Sequence, residues 1–151
     1  MHGEMAYLLQ GINDETRQKV LAMAQEESRA PGEYLFRQGK AALHFYVLRE
    51  GRIRLCVGQT ELLAFVAGSP GDIIGWSSLV ENGRYTASAQ CLVPVKVLKI
   101  EKQQLDELLR QDPVSGMAFF QHLAALVGRR LVKSYQATLS VHGEREPQPG
   151  G

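Results

Sequence analysis

Between positions 31 and 100 the chain is a succession of short apolar segments, each cut off by a turn, and that pattern leaves few folds open. The turn signals are Pro31-Gly32, Gln38-Gly39, Glu50-Gly51, Pro70-Gly71 and Asn82-Gly83. Glycine supplies the left-handed backbone of tight turns, and proline presets the first φ of one. The segments between them (34–37, 45–50, 52–58, 62–67, 73–75, 85–91 and 93–100) have strand length and predict strands. In Arg52-Ile53-Arg54-Leu55-Cys56-Val57 the apolar residues stand at alternate places. That is the period of a strand with one buried and one wet face. Many short strands at close spacing favour a barrel or jelly roll over an α/β fold.

The period turns helical on both sides of this region. Residues 13–27 predict a helix with Asn13 or Asp14 as cap and Val20, Leu21, Met23 and Ala24 as its apolar stripe. The N-terminal helical segment as a whole is placed at 8–30. Beyond residue 100, Leu105, Leu108 and Leu109 recur at helical spacing through 101–110. Asp112-Pro113 stops that helix and starts the next, as its cap and first-turn residue. The second helix, 113–140, is about seven turns long. Its stripe is Met117, Phe120, Leu123, Ala124, Val127, Leu131, Val132 and Tyr135. Residues 141–151, rich in proline and glycine, predict a disordered tail. The expected organisation is one domain over 1–140, with a roll at 31–100 and helices at 101–140. A chain of 151 residues buries roughly 70% of its unfolded surface, enough for a core without disulfides or metal.

Composition removes several functions. The net charge is +1, so nothing in the bulk charge points to nucleic acid or an anionic membrane. Cys56 and Cys91 lie in apolar runs and are expected as buried free thiols. The first residues lack a basic start followed by an apolar run, and no apolar stretch approaches ~18 residues. A cytoplasmic protein is expected. His44, His122 and His142 have no histidine partner at i+2 or i+4. G-x-S-x-G, P-loop and H-E-x-x-H motifs are missing as well. No catalytic residue, metal site or bound cofactor is therefore expected.

Three stretches in this order carry a more specific signal: Pro31-Gly32-Glu33-Tyr34-Leu35-Phe36-Arg37-Gln38-Gly39, Phe45-Tyr46-Val47-Leu48-Arg49-Glu50-Gly51-Arg52-Ile53, and Pro70-Gly71-Asp72-Ile73-Ile74-Gly75. Together they resemble the cyclic-nucleotide-binding domains of the cAMP receptor protein and FNR family, over about 8–140. The resemblance implies a mainly β fold, a double-stranded β-helix or jelly roll, with flanking helices and a long C-terminal helix. It implies a regulatory sensor that binds a small ligand, cAMP among the candidates, and forms a homodimer through that helix. Transcription factors of the family continue into a helix-turn-helix; this chain has no further helix pair after 140, so no direct DNA binding is expected.

The resemblance also implies a phosphate-binding cassette at 75–87. There a short helix follows a glycine and aims its backbone N–H groups at a phosphate. In the family a glutamate after the glycine holds the ribose, and an arginine on the next strand pairs with the phosphate. Here Trp76 stands at the glutamate's place and Tyr85 at the arginine's, with Arg84 one residue early. A one-residue slip would turn every side chain to the opposite face. Two readings stay open. In one, Gly75, Trp76, Ser77, Ser78, Tyr85, Thr86 and Ala87 form a remodelled ligand pocket, with Arg130, Ser134 and Tyr135 added from the long helix. In the other, Trp76 and Tyr85 fill the pocket as core aromatics and the chain is a ligand-free structural or dimerisation module. Separately, Arg129, Arg130 and Lys133 can be read as a solvated cationic face.

Overall fold

The glycine-cut segments form strands, and these pair antiparallel into two four-stranded sheets in the computed structural model of the chain, which describes residues 3–79 and 83–141. Two helices come first, α1 (Gly3–Leu8) and α2 (Asp14–Met23). Then follow β1 (Gln25–Arg29), β2 (Tyr34–Phe36), β3 (His44–Glu50), β4 (Ile53–Val57), β5 (Leu62–Ala67) and β6 (Ile73–Ile74). A single 3-10 turn at Trp76–Leu79 leads to β7 (Ser88–Cys91) and β8 (Val95–Glu101). The chain closes with α3 (Lys102–Gln111) and α4 (Pro113–Val141). One sheet has the order β1-β8-β3-β6 and the other β2-β7-β4-β5. The expected roll with flanking helices and a long last helix is what forms.

Strand β3 shows why the fold holds. Phe45 and Val47 face a cluster with Met5, Leu8, Val20, Leu105 and Phe119 from the helices. Tyr46 and Leu48 point the other way, into a cluster with Ile53, Ile74 and Val97 from both sheets. Successive strand side chains alternate between faces. With both faces covered, the run from Phe45 to Leu48 is apolar throughout rather than at every second place. Cys56 and Cys91 are buried free thiols.

Three expectations need correction. The helical segment placed at 8–30 ends at Met23, and residues 25–29 are strand β1, paired with β8. Gln25-Glu26-Glu27-Ser28-Arg29 is polar throughout, because β1 is an edge strand and needs only backbone pairing. In β4 the strict alternation fails at its end: the pairing with β5 shifts register between Leu55 and Cys56, and Cys56 is buried where Val57 was expected. Finally, the broad stripe expected on α4 is not the buried face. Of its residues only Leu123 is fully buried, beside Phe119 and Leu126, which the stripe left out. Met117, Leu131, Val132 and Tyr135 are exposed on another side. The tail expected at 141–151 does not start at 141, since Val141 is the last residue of α4; residues 142–151, and Asn82 of the Asn82-Gly83 turn, lie outside the described residues.

Asn13 caps α2, accepting the Glu15 N–H at 2.8 Å. Thr16 then donates its hydroxyl to Asp112 at 2.8 Å, tying α2 to the α3–α4 corner. Hydrogen bonds from Ser115 and Thr16 hold the Asp112 carboxyl below the usual carboxylate range.

Candidate functional site

The cassette residues come together around one glycine. Gly75 leaves β6 at φ +82°. A Cβ there would lie 3.2 Å from both the His44 carbonyl oxygen and the Phe36 ring, and 3.3 Å from the Tyr85 ring. Any other residue would pay about 1–2 kcal/mol for the left-handed backbone and crowd those neighbours besides. The turn that follows closes with Ser78 N–H on the Gly75 carbonyl, 3.1 Å. Ser77 Oγ lies 2.9 Å from Thr86 Oγ1 and also accepts the Thr86 N–H at 3.4 Å. Those contacts fasten the turn to the segment that leads into β7. Ser77 and Ser78 are 4% and 0% exposed, and the Ser78 hydroxyl has no hydrogen-bond partner. A buried hydroxyl left unpaired costs about 1–3 kcal/mol and needs a reason to persist.

Tyr85 and Trp76 do not fill one space. Tyr85 belongs to the cluster between the sheets, with Ala87 packed against it, whereas Trp76 is half-buried against the helical cluster. The Tyr85 ring stacks on Phe36 at 3.8 Å and 10°. Its hydroxyl donates to the His44 carbonyl at 2.8 Å and accepts the His44 N–H at 3.2 Å. Burial pushes the Tyr85 hydroxyl up, and the backbone bond at His44 only partly offsets this, so the phenol stays neutral. The paired-aromatic plug is thus corrected: Tyr85 is a core side chain and Trp76 borders the helices. Arg84 turns outward and donates to the Gly39 carbonyl at 2.7 Å. Tyr85 inward and Arg84 outward is the register that the ungapped reading required.

The long helix sends one of its three expected residues to the strand that opens the cassette. Arg130 Nη2 donates to the Ile73 carbonyl at 2.5 Å, two residues before Gly75. The guanidinium lies 4.3 Å over the Phe65 ring. Arg130 therefore does not belong to a solvated cationic face with Arg129 and Lys133. Ser134 lies elsewhere, on a cleft of about 300 Å³ shared with Val57, Leu62, Leu63 and Ala64. Tyr135 is exposed. Two participants were missed: Glu4, which takes both the Arg130 guanidinium and the Ile73 N–H, and His44. No spacing rule links residue 4 to residue 130.

His44 joins the Tyr85 backbone clasp to a charged surface. Its ring borders a cavity of about 90 Å³ with Lys99 and Glu101. Burial, then the Lys99 charge, holds the imidazole below its ordinary value near 6.5. A lowered folded-state value means that this stabilisation is complete above about 6.5 and lost as pH falls through the folded value. Melting temperature is expected to fall between pH 7 and 5, more in the wild type than in His44→Gln. Parallel profiles for the two proteins would remove His44 from the account.

Among the described residues, no group of three or more His, Cys, Asp and Glu could hold a metal ion. No described helix is long and apolar enough to cross a membrane.

Known proteins share this fold. The family model described as Cyclic nucleotide-binding domain matches residues 26–112. The Cyclic AMP receptor protein of Thermus thermophilus is 29% identical over 128 residues, which is 82% of this chain and 56% of that protein. The chain thus spans just over half the length of this curated relative. A solved protein of Geobacter metallireducens GS-15, provisionally described as cyclic nucleotide-binding, is 27% identical with a TM-score of 0.74, over 84% of this chain and 94% of that one. The N-terminal domain of a transcriptional regulator from Streptomyces coelicolor A3(2) is 28% identical with a TM-score of 0.68, over 90% and 97%.

Proposed function

Since the chain belongs to the cyclic nucleotide-binding domain family, we propose that it is a cytoplasmic, non-enzymatic sensor module that binds a small anionic ligand, cAMP or a related cyclic nucleotide, at its cassette. The observation that carries this reading is the Arg130 bond to the Ile73 carbonyl. It brings a buried cation from α4 to the strand that opens the cassette. Tyr85 takes the place of the family's arginine, so the ligand's charge falls to Arg130 and to backbone N–H groups of the turn. The Ser78 hydroxyl, buried and unpartnered, supplies a further polar group at the same turn. Two buried free cysteines fit a reducing compartment.

The output surface is α4. Its exposed apolar residues, among them Met117, Leu131, Val132 and Tyr135, are left uncovered by the described residues. A second copy of the same helix fits them, giving a homodimer whose helix pair reports the state of the cassette.

Calorimetry and thermal shift with cAMP, cGMP and cyclic dinucleotides test the ligand. At least one should give a saturable heat. At a hundredfold excess over its Kd it should raise the melting temperature by roughly 5–10 °C. Silence from all of them in both measurements would overturn the reading.

A further inference from the structure

Three elements far apart in sequence meet at one carboxylate. Glu4 Oε1, on α1, accepts the Ile73 N–H at 2.9 Å and Arg130 Nη2 at 2.5 Å. The same Nη2 donates to the Ile73 carbonyl. The Arg130 side chain is 11% exposed and that of Glu4 19%. Yet Nε and Nη1 of Arg130 are buried and have no partner. A guanidinium carries five N–H donors in a flat fork that suits two oxygens of one anion. Here one carboxylate oxygen meets one nitrogen, and the rest of the fork goes unused. Buried donors without acceptors cost free energy. The site is under-filled for its cation.

Helix α1 is placed so that this contact matters. Met5 N–H bonds the Gly71 carbonyl at 2.8 Å. A Cβ on Gly3 would come within 2.6 Å of the Pro70 carbonyl oxygen, so α1 starts flush against the turn before β6. On its other side the Tyr7 ring lies 4.7 Å from the Arg129 guanidinium and 4.6 Å from the His122 ring. Helix α1 therefore bridges the strand that opens the cassette and the long helix.

We propose that Glu4 is an autoinhibitory stand-in for the ligand's anion. It holds Arg130 when no ligand is bound; an entering anion takes over the guanidinium, frees Glu4 and loosens α1 from β6 and α4. The inference rests on the anionic-ligand reading above. The exchange is like for like in charge. A phosphate, however, brings oxygens enough to satisfy Nε and Nη1 as well. That difference between the two bound states drives the switch, since a ligand shifts an equilibrium only by its differential affinity.

The test uses the full chain as wild type, Glu4→Gln and Glu4→Gln/Arg130→Gln. Each is titrated with inorganic phosphate and separately with cAMP, and followed by thermal shift and by amide exchange at 3–8. In Glu4→Gln the competitor's charge is gone, so phosphate should bind about tenfold more tightly than in the wild type. The double variant should lose that gain. In the wild type, phosphate should speed exchange at 3–8. Equal phosphate affinity in wild type and Glu4→Gln, none included, overturns the stand-in, as does a gain that survives the loss of Arg130. If Glu4→Gln does not fold, wild-type exchange decides: acceleration at 3–8 supports the stand-in, and unchanged exchange overturns it. The cAMP arm separates the two claims. A phosphate gain with no nucleotide bound keeps Glu4 as a latch on an anion site and removes the nucleotide. Nucleotide binding indifferent to Glu4→Gln removes the latch and leaves the nucleotide.

Discussion

Placing an arginine at position 85 with Tyr85→Arg is expected to lower the melting temperature by roughly 20 °C and to create no cAMP site. The side chain it replaces is 5% exposed. Tyr85 stacks on Phe36, and its hydroxyl is clasped by both backbone groups of His44. Losing a buried aromatic costs about 3–5 kcal/mol. The guanidinium would then sit between the sheets among Leu35, Tyr46, Leu48 and Ile74, with no carboxylate in that cluster. A buried charge without a partner adds several kcal/mol of its own, at the order-of-magnitude level. Tyr85→Phe is the control. It keeps the stack and loses only the hydroxyl, and should cost about 1–3 kcal/mol. Denaturant melts of the three proteins with cAMP calorimetry decide it. An arginine variant with wild-type stability and a new cAMP heat would mean that Tyr85 lines a preformed nucleotide site.

The second large effect is on assembly. Leu131→Glu is expected to turn a dimer into a monomer while leaving the monomer's fold intact. Leu131 is 51% exposed and lies on the outer side of α4, away from Phe119, Leu123 and Leu126. Nothing lies within 4 Å of where a Cβ on Gly128 would be, so a partner helix can approach closely there. A glutamate in a closed apolar interface loses several kcal/mol of hydration. At 1.4 kcal/mol per decade, the dissociation constant should rise at least about 100-fold. Sedimentation equilibrium gives the mass, and far-UV circular dichroism checks the fold. A wild type that is monomeric at every concentration would leave this face without its partner. A Leu131→Glu dimer would move the interface elsewhere.

The roll was legible because glycine turns and alternation are local signals. The register at Tyr85 was legible too, since a slip would have buried Arg84 and exposed the tyrosine. Strand β1 was not legible: edge strands need backbone pairing more than apolar side chains, and Gln25-Glu26-Glu27-Ser28-Arg29 has none of the usual pattern. The two faces of α4 share one period, so periodicity alone could not say that Phe119 goes inward and Tyr135 outward. Trp76 and Tyr85 could be named as replacements, but not assigned to different clusters. Glu4 stayed invisible because its role depends on Arg130 and Ile73 converging on it. The sequence pattern reports faces, while partners come only with the fold.

An amide and arginine-Nε NMR titration with the cyclic-nucleotide panel reads out whether the turn at 75–79, with Thr86 and Arg130, holds a small anion. Saturable shifts are expected at Ser77, Ser78, Thr86 and Ala87, together with the Arg130 Nε signal. Unchanged spectra with every ligand, or shifts that spare these residues and Arg130 together, would contradict anion binding there.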